Sequence, residues 1–272
     1  MYDIIYSLII HESIESYRDM IKNIFYFNKH LNIYVVVHCN EFMYNQVKND
    51  KLYNVLINPS FWSKRYLTYD ILHAHIENYL YAGLCGIKSR YVINLTSNCM
   101  FHKYLFIEDI EKQIINADIY TPSSYFIEPN RKLWVWDKIM NNTKIIDLFL
   151  KNNINEIVVN FHEGIIYETY TLNKCINFIN ENNIRDLIVD DCQFEEFLIQ
   201  TLYVNIKKQY YGCICRLFYE LKDYVPSIID IKQTSQPIIK RVDRIYDNPI
   251  RVWLRQITNN YKGITWNLDS ID

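Results

Sequence analysis

Glycine is scarce in this chain, with five in 272 residues. That scarcity excludes two phosphate cradles built from glycine backbone, the G-x-G-x-x-G dinucleotide fingerprint and the Walker loop, and neither motif occurs. There is no D-x-D motif either; the nearest acidic pairing is Asp109-Ile110-Glu111, in a segment read as a surface helix. A bound nucleoside diphosphate is therefore expected to do without a divalent cation held by that motif. The seven cysteines are an odd number with no C-x-x-C pair and no His/Cys spacing of a zinc site. Free thiols in a reducing cytoplasm are therefore expected.

Charge of either sign is not in excess. With 29 Lys and Arg against 31 Asp and Glu, the net charge of −2 gives no general attraction to nucleic acid or anionic membrane. Any anion site must be a local cluster. The first residues, Tyr2-Asp3-Ile4-Ile5-Tyr6-Ser7-Leu8-Ile9-Ile10-His11-Glu12, lack a basic leader, and their apolar run is too short to span a bilayer. No repeat or Gly/Pro-rich linker interrupts the chain. One domain over 1–272 is expected, with a nucleotide-binding half at 1–100 and an acceptor and catalytic half at 101–272.

Half of the residues are hydrophobic, enough for a sizeable core. Apolar runs at 3–11, 32–38, 53–57 and 91–95 read as strands, and amphipathic segments from Ser13 to Phe27 and over 68–84 read as helices. The alternation predicts an α/β fold with a mostly parallel sheet, helices on both faces, and a ligand site at the carboxyl ends of the strands. His11, His38-Cys39-Asn40 and Thr96-Ser97-Asn98-Cys99 should share that rim. Further along, 107–116 reads as a helix, 119–122 as extended, and 137–151 as a helix entered at Trp136. The remaining elements are a strand over 155–161, a helix over 171–180, one from Phe194, a strand over 211–219, and a last helix from Pro249 to Tyr261.

Two stretches carry chemistry. From Phe194, Glu196, Gln200, Tyr203 and Lys207 recur at helical spacing on one polar face, which would aim the Glu196 carboxylate outward from a rigid helix. The plainer reading makes Glu195 and Glu196 first-turn acids favoured by the helix dipole. Near the C-terminus, Lys240, Arg241, Arg244, Arg251 and Arg255 form the densest cationic run. Guanidinium groups suit a diphosphate leaving group; a solvated run paired with Asp243 and Asp247 is the alternative. His11 and His38 read as strand-end hydrogen-bonding residues before they read as catalysts.

Taken in order, these stretches resemble the core-2/I-branching N-acetylglucosaminyltransferase and peptide xylosyltransferase family, especially its small soluble members. The strand end at His11 is similar to I-x-x-H, His38-Cys39-Asn40 to H-V-D, and Leu95-Thr96-Ser97-Asn98-Cys99 to L-S-G-x-D. The Glu163-Gly164 turn with Tyr167 is similar to G-S-x-W, and Glu195-Glu196 followed by Thr201 to P-D-E-x-x-x-x-T. The likeness spans roughly 3–255, as short motifs only.

The resemblance implies a GT-A fold and inverting transfer of a GlcNAc- or xylose-like sugar from a UDP-sugar to a glycan hydroxyl. In that reading Glu196 is the general base and basic residues replace a metal. His11, His38, Asn40, Lys240, Arg241, Arg244 and Arg251 would serve the nucleotide, and Trp62, Ser97, Cys99, Tyr167 and Glu195 the acceptor side. No metal or other cofactor is expected, the partners are a nucleotide sugar and a glycan acceptor, and the setting is a cytoplasmic enzyme building a bacterial or viral glycan. Asn40 and Cys99 stand where the family has aspartates, and Phe194-Glu195 where it has Pro-Asp. A non-catalytic nucleotide- or glycan-binding module, and a metal-dependent transferase of the same fold, are the alternatives.

Overall fold

The structure, a computed structural model, describes residues 1–50, 52–61, 70–117, 123–126, 136–187, 193–217 and 227–264. Trp62 and the extended segment expected at 119–122 lie outside them. In chain order the elements are β1 (Tyr2–Ile9), α1 (Ile14–Phe27), β2 (Ile33–Cys39), α2 (Glu41–Val47), β3 (Val55–Phe61), α3 (Asp70–Leu84), β4 (Ser89–Thr96), β5 (Cys99–Phe101) and α4 (Ile107–Ile115). Then follow β6 (Ser123–Phe126), α5 (Trp136–Asn141), α6 (Thr143–Lys151), β7 (Glu156–Val159), β8 (Ile165–Glu168) and α7 (Thr169–Glu181). The chain continues through α8 (Leu198–Lys207), β9 (Gly212–Cys213), β10 (Cys215–Leu217), α9 (Ile228–Gln233), β11 (Ile238–Lys240) and α10 (Pro249–Thr258).

The molecule is α/β, built on a six-stranded sheet of order β3-β2-β1-β4-β8-β9. The first four strands are mutually parallel, while β8 runs antiparallel to β4 and β9 antiparallel to β8. The sheet is thus mixed, a correction to the mostly parallel expectation. The departure lies in β8, whose Ile165-Ile166-Tyr167-Glu168 runs straight into α7 with no turn signal between them. A three-stranded sheet β10-β11-β5 and the pair β6-β7 complete the strands.

Near-continuous apolar runs form the inner strands because both faces of the sheet are covered. Ile4, Tyr6, Leu8, Val35, Val37, Ile93 and Leu95 face α1 and its neighbours, and Ile5, Val36 and Val92 face the α3, α7 and α8 side. Each such buried Ile, Val or Leu contributes about 1.5–3 kcal/mol over its exposed state. Ser13 caps α1 by accepting from the Ser16 amide at 3.2 Å.

Several local expectations are corrected. Helix 137–151 is two helices, because Asn142 interrupts it and caps α6 by accepting from the Ile145 amide. The expected strand at 211–219 is split into β9 and β10 around Ile214. The helix expected from Phe194 begins only at Leu198: Phe194–Glu196 is a 3-10 turn, separated from α8 by Phe197 at φ −142°. Gln200 and Tyr203, expected on its polar face, are buried in the core. Among the described residues, no helix is long and apolar enough to cross a membrane.

Candidate functional site

The chain passes from β1 to β2 and β3 on one side, then returns to β4 on the other side of β1. A crevice therefore opens between the carboxyl ends of β1 and β4, the switch point where open α/β sheets bind ligands. Ile9 pairs with Thr96 at its base, so the residues just beyond, His11-Glu12 and Ser97-Asn98, form its lips.

Glu12 organises this crevice. Its Oε1 accepts from Ser97 Oγ at 2.5 Å and lies 2.6 Å from Arg244 Nε, which also donates to Ser97 Oγ at 3.0 Å. Arg244 remains 46% exposed, and among the described residues neither of its terminal Nη groups has a partner. It lines a polar concavity of about 440 Å³ with Asn98, Arg241, Val242, Asp243, Asn248 and Ile250, within the range of small-ligand sites. Arg241 holds φ +73°, a left-handed conformation that costs a non-glycine residue about 1–3 kcal/mol. His11 sits 3.6 Å from Glu12 Oε1. Burial lowers the pKa of its ring, Glu12 raises it, and Arg244 lowers it again, for a net fall.

The other basic residues are already committed. Arg251 is wholly buried: its Nε donates to Asp243 O at 2.6 Å, one Nη to Ser97 O, and the other approaches Asp19 Oδ2 at 3.4 Å. Arg255 also meets Asp19, at 3.3 Å, and lies over the Tyr246 ring. These two arginines clamp α10 to α1. Arg251 thus braces two walls of the crevice from behind and offers no donor to a ligand, which corrects its place among the nucleotide contacts. Lys240 is equally occupied, with Nζ 2.6 Å from Glu163 Oε2.

Glu163 is the hub behind the crevice. Gly164, at φ +73°, lets the turn approach so closely that an added Cβ would fall 2.3 Å from Cys215 Cβ. The Gly164 amide donates to Asn94 O, which sets the preceding carboxylate against the end of β4. Its Oε1 lies 3.0 Å from Thr96 Oγ1. Burial acts to raise the Glu163 pKa, but the His162 ring and the Lys240 ammonium override it and hold the carboxyl at about 2.

The carboxylate pair arrives from the 3-10 turn. Glu195 is 5% exposed, its Oε2 has no hydrogen-bond partner among the described residues, and burial pushes its carboxyl up to about 8, with Glu196 and Glu163 adding to the rise. Glu196 is half-buried, and its carbonyl accepts from the Asn160 amide at 2.8 Å. Gln200 fixes the turn by donating to Glu195 O at 2.7 Å and Asn160 O at 3.2 Å.

The structure brings His11, Ser97, Arg241 and Arg244 to the crevice and leaves other expected residues behind it. Asn40 caps α2, accepting from the Met43 amide at 2.9 Å, and donates to His11 O at 3.1 Å, so it supports the crevice from below. His38 is buried on the α3 side of the sheet, where burial and His73 lower its pKa to about 4. Cys99 is buried, with Sγ 3.6 Å from Thr96 Oγ1. Tyr167 packs in the core, 5.5 Å from the Tyr203 ring and 6.3 Å from that of Tyr211, where no acceptor sugar could stack on it. Its acceptor-stacking role is therefore corrected.

Glu12 belongs to none of the motifs of the sequence. Extending the strand-end rule one residue past His11 finds it. Among the described residues, no group of three or more His, Cys, Asp or Glu side chains is placed to hold a metal ion. No protein-family model matches the chain, and no curated protein matches it.

Proposed function

We propose that the chain is an inverting glycosyltransferase of the GT-A type, moving a GlcNAc- or xylose-like sugar from a UDP-sugar to a glycan hydroxyl. The observation that carries this reading is Arg244, oriented by Glu12 and Ser97 at the β1–β4 switch point with both terminal guanidinium nitrogens left for a ligand. A guanidinium held in this way meets phosphate oxygens and stabilises negative charge as it develops on a leaving diphosphate. Arg241, on the same concavity, is the second candidate contact. Lys240 and Arg251 act behind them.

Glu196 is the proposed base. Adjacent carboxyls in unlike surroundings divide their roles: buried Glu195, with its pKa raised to about 8, is mostly protonated at neutral pH and cannot accept a proton. Half-buried Glu196 is the more exposed member of the pair, and in this reading it takes the proton of the incoming hydroxyl. The acceptor would approach the anomeric carbon opposite the diphosphate, its oxygen would form the new bond as Glu196 takes the proton, and UDP would depart onto Arg244. The sequence lacks D-x-D, so the arginines carry the charge that a metal would otherwise meet. Donor turnover over a panel of UDP-sugars tests this: the wild type transfers or hydrolyses a donor and Glu196→Gln loses at least about a hundredfold in rate. Wild-type turnover in the Gln variant removes Glu196 from the role, and tight binding with no turnover across the panel makes the chain a binding module.

A further inference from the structure

Behind the crevice, on the α3 face of the sheet, lies a polar cluster that the proposed transfer does not use. His38, His75, His162 and Glu195 are each at least nine-tenths buried, yet among the described residues His38 Nδ1, His75 Nε2, both ring nitrogens of His162 and Glu195 Oε2 have no hydrogen-bond partner. Buried polar atoms are nearly always paired, and leaving one unpaired costs free energy. Here such atoms come from four separate segments of chain: the end of β2, α3, the turn before β8 and the 3-10 turn before α8. The His75 and His162 rings lie 5.1 Å apart, and His162 Nδ1 is 3.6 Å from Glu163 Oε2.

A directed hydrogen-bond chain fixes what His75 offers. The Ser60 amide donates to Asn58 Oδ1 at 3.0 Å, and Asn58 Nδ2 to Asn78 Oδ1 at 3.1 Å. Asn78 Nδ2 donates to Ser7 Oγ at 3.0 Å, and among the described residues the Ser7 hydroxyl has one acceptor for its own hydrogen, His75 Nδ1, 2.7 Å away. With Nδ1 accepting, the neutral ring carries its hydrogen on Nε2, the atom with no partner. Five residues thus aim one N–H donor into the cluster.

The charge of the cluster is already balanced. Burial holds the His38 and His162 rings at about 4 and His75 well below its ordinary value, so all three are neutral at pH 7. Glu163 is paired with Lys240 at 2.6 Å, so among the described residues the nearest cation is already matched. An anionic group brought here would lose its water without gaining a counter-charge. Hydroxyls, which donate and accept, match unpaired imidazole nitrogens and a carboxyl. The cluster adjoins the crevice through one residue: Thr96 Oγ1 lies 2.7 Å from Asn98 Oδ1 on the concavity and 3.0 Å from Glu163 Oε1.

We infer that His75, His162 and Glu195 receive hydroxyls of the transferred sugar, and that the donor carries an uncharged sugar rather than a uronic, sialic or phosphorylated one. This rests on the nucleotide-sugar reading above. Calorimetric titration of UDP, UDP-xylose, UDP-GlcNAc and UDP-glucuronate tests it, in the wild type and in His162→Leu, a ring that makes no side-chain hydrogen bond among the described residues and whose one charged neighbour, Glu163, keeps its Lys240 partner. The expected result is an uncharged donor binding at least about tenfold tighter than UDP-glucuronate, the weight of one net hydrogen bond. The ratio of uncharged-donor to UDP affinity should fall several-fold in His162→Leu. Equal affinity for UDP-glucuronate, or an undiminished ratio in the variant, overturns the inference.

A second measurement needs no variant. Imidazole nitrogen resonances of His75 and His162 in the wild type should move with UDP-xylose or UDP-GlcNAc and not with UDP; resonances that no donor moves overturn the inference. If UDP itself fails to bind, the nucleotide reading falls. The same resonances, titrated with methyl xyloside and methyl N-acetylglucosaminide, then decide the sugar site by moving or staying still.

Discussion

Glu163 Oε2 and Lys240 Nζ meet at 2.6 Å in the interior, joining the turn before β8 to the end of β11. Removing one partner strands the other as an unpaired buried charge, the costly half of any buried ion pair. Lys240→Met should lower unfolding free energy by about 3–5 kcal/mol, and adding Glu163→Gln should restore part of that loss. Urea unfolding of the two singles and the double checks it. Additive losses would mean the pair is not coupled.

Arg251, behind the crevice, and Arg244, on it, should differ in what they contribute to stability. Arg251→Met removes a buried guanidinium from Asp19, Ser97 O and Asp243 O, and should cost about 3–5 kcal/mol of stability. Arg244→Met removes a half-exposed group and should cost under about 1 kcal/mol. Thermal or urea unfolding of both variants ranks them; comparable losses would make Arg244 a structural residue.

Stability should depend on pH in two opposed ways. Glu195 has a folded pKa raised to about 8, so the stabilisation it gives as a neutral acid is complete below its unfolded value near 4.5 and is lost as pH rises toward 8. Glu163, held at about 2, stabilises above pH 4.5 and loses that contribution as pH falls toward 2. His38 and His162, lowered to about 4, likewise lose stability as pH falls from 6.5 to 4. Urea midpoints between pH 5 and 8 for wild type and Glu195→Gln isolate the first effect: the Gln variant should lose less stability over that interval. Parallel curves would count against a buried, protonated Glu195.

Gly164 leaves no room for a side chain, since an added Cβ would fall 2.3 Å from Cys215 Cβ at a positive φ. Gly164→Ala should destabilise by about 2 kcal/mol or more, through overpacking and strain together. A loss below about 0.5 kcal/mol would show that the turn relaxes freely.

The parallel half of this fold is legible in the sequence because inner strands are apolar on both faces, and that pattern placed His11, Asn40 and Ser97 at or beside one rim. What escapes are relations between distant residues. Glu12 with Arg244 and Glu163 with Lys240 span long stretches of chain, and no local period encodes them. The carboxylate turn escapes for another reason: Phe197 breaks the helical geometry inside an unbroken apolar pattern, so Gln200 and Tyr203 turn inward where periodicity had set them on a polar face. The cationic run, uniform in sequence, divides in space into two arginines on the concavity, Arg241 and Arg244, and residues committed to buried acids, Lys240 and Arg251.

The most direct measurement is calorimetric titration of UDP, with EDTA present, into the wild type and Arg244→Met. The account predicts that UDP binds the wild type without added metal, and that affinity falls about ten- to a hundredfold in the variant, the weight of a charge-assisted phosphate contact. Binding that appears only with added Mn²⁺, or that is indifferent to Arg244, would contradict it.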